Sequence, residues 1–83
     1  MSCVADHTLV GQVINTTNVT DEFECQIKCI ANNTGESFNV HPPAAVKDKA
    51  ICELNNKTRQ MLPSQFKRKI GSNYYGSVKV SRP

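Results

Sequence analysis

Eighty-three residues make one domain, 1–83, and a domain this small buries only about 60–65% of its unfolded surface, so the four cysteines are expected to act as covalent staples. No apolar run approaches the ~18 residues of a membrane span, which argues against membrane insertion. Residues 1–53 hold all seven acids against three lysines, −4, and residues 54–83 hold seven bases and no acid, +7; this asymmetry within a net charge of +3 points to an anionic partner.

Leu9-Val10-Gly11-Gln12-Val13-Ile14 is a strand candidate whose glycine suggests a bulge or a close backbone approach. Asn15 to Thr20 is polar and turn-forming. Asp21 is placed to cap a helix, with Glu24 completing an acidic variant of the capping box, and Asn-Asn-Thr-Gly stops that helix at Asn32 or Asn33. At about 100° per residue, Phe23, Ile27 and Ile30 fall on one side and Cys25 and Cys29 nearly opposite, so the helix is expected to be covered on both sides. Ser37 to His41 alternates as a strand with Phe38 and Val40 on one face, and Pro42-Pro43 ends it. A polar loop, Pro42 to Lys49, leads into a strand from Ala50 to Leu54, with Cys52 and Leu54 on one face and Ile51 and Glu53 on the other. A loop then runs around Pro63 to Gly71, and Tyr74 to Val80 is the last strand, with Tyr74, Gly76, Val78 and Val80 on one face. The sum is an α+β fold: a small antiparallel β-sheet crossed by one α-helix and stapled by disulfides.

Four sequons, at Asn15, Asn18, Asn32 and Asn56, are glycosylation candidates and favour a secretory route. The Met1-Ser2 start has no apolar segment behind it to act as a signal, and reads as the start of an excised or recombinant fragment, a module of a larger extracellular protein. Neither His7 nor His41 has another ligand at helical spacing, so no metal is expected. Cys25 and Cys29 lack the Cys-x-x-Cys spacing of redox motifs, and there is no phosphate loop or nucleophile elbow. Catalysis and a cofactor are therefore not expected. Lys67-Arg68-Lys69 beside Phe66 has the charge of a nucleic-acid surface but no reader signature accompanies it, and nucleic acid is not the expected partner.

Ser37-Phe38-Asn39-Val40, Cys52-Glu53-Leu54-Asn55-Asn56-Lys57-Thr58-Arg59 and Tyr74-Tyr75-Gly76, following a helical segment with Cys25 and Cys29 four apart, resemble the PAN/apple domain family in the form common in multidomain extracellular proteins of invertebrates. The resemblance runs from Leu9 to Gly76. It implies the same fold, and binding rather than catalysis. It also implies a Cys25–Cys52 disulfide. The family's second bond joins the second helix cysteine to a cysteine just before the Ser-Phe-Asn strand, a position held here by Gly35. That leaves Cys3 as the remaining intrachain partner of Cys29, so a Cys3–Cys29 bond is expected, with two thiols or an intermolecular bond as the alternatives.

The resemblance implies a non-enzymatic, secreted or extracellular recognition module, in adhesion or matrix, with a protein or glycan as partner. The charge adds a candidate surface for sulfated polysaccharide at Lys67, Arg68 and Lys69, with Lys57 and Arg59 as neighbours. Phe38, Tyr74 and Tyr75 read as core and sheet packing. The competing reading is a stand-alone small secreted effector, toxin-like or a protease inhibitor. Oligomeric state is not legible in the residues.

Overall fold

The alternating segments beginning at Ser37 and Ala50 form strands where expected, and the proline pair ends the first of them. The structure, a computed structural model, describes residues 2–43, 45 and 48–76. Its elements are β1 (Ser2–Leu9), β2 (Val13–Val19), α1 (Glu22–Ala31), β3 (Ser37–His41), β4 (Ala50–Asn55), a 3-10 turn at Pro63–Gln65 and β5 (Phe66–Gly76). The strands make one antiparallel sheet in the order β1-β5-β3-β4-β2, with α1 packed on one face. This is a small α+β fold with the helix across the sheet.

The cap of α1 is the one the sequence specifies. Asp21 Oδ1 accepts from Glu24 N–H at 3.0 Å, and Glu24 reaches back to accept from the Thr20 N–H and hydroxyl, both at 2.9 Å. These bonds hold the Glu24 carboxyl below its ordinary value, the Thr20 backbone bond being the largest cause. The helix ends at Asn32, whose N–H returns to Lys28 and Cys29 carbonyls. Its cysteine side faces the sheet. Cys25 is bonded to Cys52 of β4 across a sequence separation of 27, a loop whose closure contributes about 3.5 kcal/mol. Around that bond Val19, Cys29, Phe38 and Leu54 are buried, and Tyr75 stacks on Phe38 with centroids 4.7 Å apart. Phe38 and Tyr74 are both fully buried, in keeping with their reading as core residues.

The other side of α1 is bare. Phe23, Ile27 and Ile30 are 63%, 51% and 52% exposed, which corrects the expectation of cover on both sides. Among the described residues the helix has one sheet to pack against, and the disulfide turns the cysteine stripe toward it.

Three boundaries also differ. Leu9 to Ile14 is not one strand: Leu9 ends β1, Gly11 turns the chain, and Val13 opens β2 at the opposite edge of the sheet. Asn15 to Thr20 belongs largely to β2, because pairing with β4 overrides its turn-like composition. The expected loop around Pro63 to Gly71 becomes strand from Phe66 onward, since β1 offers it a partner. Val78 and Val80 of the expected last strand lie outside the described residues.

The long β1–β5 ribbon bends midway. Register shifts between Ala5 and His7, where Asp6 takes φ 58° and its carboxylate accepts from Gly71 N–H at 2.8 Å, while Gly71 itself has φ 89°. Only glycine adopts that last conformation without strain. The bend brings Leu9 back over the sheet face opposite α1, where buried Asn39 holds it: Leu9 N–H donates to Asn39 Oδ1 at 3.0 Å, and Asn39 Nδ2 donates to Leu9 O at 2.9 Å.

The expected Cys3–Cys29 bond does not form. Cys3 is exposed and free, and pairs in register with Tyr75. Because β5 lies between β1 and β3, the Tyr75 side chain separates Cys3 from the helix. Burial pushes the Tyr75 phenol up to about 12, with the neighbouring Cys3 adding to the effect. Cys29 is buried under α1 and its thiol donates to Ser37 O at 3.6 Å.

Candidate functional site

Strand alternation divides the basic cluster. Lys67, Arg68 and Lys69 are all exposed on β5, where Lys67 pairs with Thr8 and Arg68 with His7. Lys67 and Lys69 project to one side of the ribbon, and Arg68 shares the other with Phe66. On that second side the Arg59 guanidinium lies 5.5 Å over the Phe66 ring, and the His7 ring stacks on Phe66 at 4.9 Å. Arg59 is further fixed by its backbone N–H, which donates to Tyr74 Oη at 2.9 Å. Two arginines and a histidine therefore gather around Phe66. Lys57 is exposed, and its carbonyl accepts from the Ser37 hydroxyl at 2.6 Å.

Acids do not neutralise this strand. Among the described residues no lysine or arginine meets a carboxylate at ion-pair distance; the one contact that close is His41 Nε2 with Glu53 Oε1, at 2.6 Å. Three acids of the first half are engaged elsewhere: Asp21 and Glu24 cap α1, and Asp6 holds Gly71.

Lys69 also lines two clefts, about 230 and 370 Å³, on the sheet face opposite α1, and His41 and Glu53 are in both walls. Here the fold builds a polar network that the sequence reading missed. His41 Nδ1 lies 2.6 Å from Ser72 Oγ, and His41 Nε2 lies 2.6 Å from Glu53 Oε1. Asn39 Nδ2 donates to the same Glu53 oxygen at 3.2 Å. With Glu53 ionised, the imidazole donates to it and accepts from the serine hydroxyl. The order serine, histidine, glutamate matches a nucleophilic triad in composition only, because Ser72 is fully buried and offers no face to a substrate. The network fixes the Glu53 carboxylate in the walls of the two clefts that Lys69 also lines. Its signal in the sequence was the alternation itself: with Phe38 and Val40 toward the helix, Asn39 and His41 must share a face with Glu53.

The sequon asparagines lie elsewhere. Asn15 and Asn18 are on β2, Asn32 caps the end of α1, and Asn56 follows β4. No cluster of three His, Cys, Asp or Glu suited to a metal ion occurs among the described residues. No helix among them is long and apolar enough to cross a membrane.

The sequence profile of the PAN domain matches residues 2–78, nearly the whole chain. The chain belongs to the PAN domain family. PAN domains are, in general, protein- or carbohydrate-binding modules of extracellular proteins and typically lack enzymatic activity. A search of curated proteins gives no match to this one. Within this PAN domain the Cys25–Cys52 bond is present, while Gly35 stands against Cys29: a Cβ built on Gly35 lies 3.2 Å from Cys29 Sγ and 2.9 Å from Cys29 O.

Proposed function

We propose that this PAN domain is a non-enzymatic recognition module of a larger extracellular protein, and that it binds sulfated glycans through the basic part of β5. The reading rests on one observation: Lys67, Arg68 and Lys69 are consecutive, exposed and without an acidic partner among the described residues. Their alternation sends cations to both sides of the ribbon, so a linear polyanion lying along it meets Lys67 and Lys69 on one flank and Arg68, with Arg59 behind it, on the other. Arginine's planar fork suits a sulfate group, and lysine supplies a compact point charge.

Retention on immobilised heparin across a salt series tests this, with the wild type compared against a Lys67→Ala, Arg68→Ala, Lys69→Ala variant. Charge-driven binding weakens steeply with salt as counterions are released. The wild type is expected to stay bound above physiological salt and the triple variant to elute well below it. Elution of both at low salt would reject the sulfated-glycan reading and turn the search to protein partners.

A further inference from the structure

The four sequons are spread over residues 15 to 56, yet the fold collects them at one edge. Asn15 and Asn18 lie exposed on β2, which among the described residues pairs only with β4 and forms the outer edge of the sheet. Asn15 is the register partner of Leu54 and faces the helix side; Asn18 is the partner of Ile51 and faces the opposite side. Asn32 meets Asn15 across a groove of about 290 Å³ between α1 and β2, lined also by Thr17 and Lys28. The Asn32 carboxamide oxygen accepts from both the N–H and the hydroxyl of Thr34, at 2.9 Å each, which folds this sequon into a tight local turn. Exposed Asn56 is tied to the same edge, since its N–H donates to Gln12 O, one residue before β2 begins.

We infer that these asparagines carry N-linked glycans, and that the fold thereby confines sugar to the β2 edge and leaves the basic β1–β5 edge uncovered. The inference rests on the extracellular reading above, because the modification takes place in the secretory pathway. Its geometry follows from the strand order: β4 and β3 intervene between β2 and the basic β5. A glycan on each face of β2 also bars another strand from adding to its unpaired backbone groups, a protection that edge strands need.

The test is secretion of the full chain behind an added signal peptide from a eukaryotic host, followed by peptide mapping and lysine footprinting with a bulky amine reagent, before and after enzymatic glycan removal. Occupancy is expected at Asn32, at Asn56 and at one or both of Asn15 and Asn18, which compete because they are three residues apart. Glycan removal should raise the reactivity of Lys28 severalfold and leave Lys67 and Lys69 unchanged. An Ile70→Asn variant, which creates an Asn-Gly-Ser acceptor beside Lys69, supplies the contrast: its glycan should depress Lys69 reactivity, and removal should restore it. Absence of glycan from all four sequons in the secreted chain would overturn the inference, as would native glycans that shield Lys69 as strongly as Lys28. Neither readout uses heparin, so failure of sulfated-glycan binding leaves the placement of the sugars standing. Occupied sites in the forced secretion together with a glycan-free chain from its own source would overturn both the inference and the extracellular reading on which it rests.

Discussion

Gly35 stands where the family resemblance calls for a cysteine, and replacing it with one should restore the second staple. Gly35 is buried, and its φ is not among the positive ones, so an L-residue fits its backbone. A Cβ there would lie 3.2 Å from Cys29 Sγ, close to the separation of about 3 Å that disulfide bond lengths and angles require. Closing the short loop from position 29 to position 35 contributes about 2.4 kcal/mol. Against this, the same Cβ would sit 2.9 Å from Cys29 O, and the backbone must shift by a few tenths of an ångström to admit it. Overpacking of this kind costs about 1–3 kcal/mol. Gly35→Ala carries the Cβ without the sulfur and should be destabilised by about 1–2 kcal/mol. Oxidised Gly35→Cys should exceed Gly35→Ala by about 2 kcal/mol, which raises Tm by roughly 8–16 °C between the two variants for a domain of this size. Thermal unfolding under oxidising and reducing conditions reads that difference, which should vanish on reduction. Alkylation of the unfolded protein should find two thiols in the wild type, Cys3 and Cys29, and one in oxidised Gly35→Cys. A Gly35→Cys protein that keeps three reactive thiols, or melts with Gly35→Ala, would refute the placement of the Cys29 sulfur against residue 35.

Asn39→Ala removes both bonds to the Leu9 backbone, and leaving two buried backbone groups unpaired costs about 1–3 kcal/mol each. Urea titration should show a loss of about 2–5 kcal/mol, with early exchange of the Leu9 amide, and a variant within 0.5 kcal/mol of wild type by the same titration would show that the ribbon needs no such anchor. Glu24 has a folded pKa below its ordinary value of 4.5, so its contribution is present above 4.5 and lost as pH falls through the folded value. The stability gap between wild type and Glu24→Gln, measured by urea unfolding at pH 7 and pH 3, should therefore shrink at the lower pH. A gap that widens there would contradict the capping role.

How much of this was legible in the sequence depended on whether the signal was local. Asp21 and Glu24 announce the helix because capping acts over one turn, and Phe38-x-Val40 and Cys52-x-Leu54 announce their strands because alternation acts over two residues. Asn15 to Val19 carries no such signal, since its strand conformation comes from β4, more than thirty residues away. The apolar stripe of α1 misled because periodicity identifies a face without saying what covers it, and the disulfide gave the sheet to the opposite face. The basic cluster was visible as charge, but its division between two sides of a ribbon waited on knowing that the segment is strand. Ser72 joins His41 through the β3–β5 register, which pairs Val40 with Asn73 and so sets Ser72 opposite His41, a non-local pairing with no counterpart in local pattern.

The register that pairs Ser2 with Gly76 has a mechanical consequence. Tension pulling on these two points acts at the same end of an antiparallel ladder, so it opens β1 from β5 one pair at a time instead of shearing the whole ladder at once. The bonds from Asn39 to Leu9 lie at the far end of that ladder and are the last to meet the load. Behind them, the Cys25–Cys52 bond prevents the segment between α1 and β4 from extending at all. Under force the basic ribbon would give way first and the stapled helix and hairpin would remain, so a ligand gripping both β1 and β5 would act as a clasp that resists the pull.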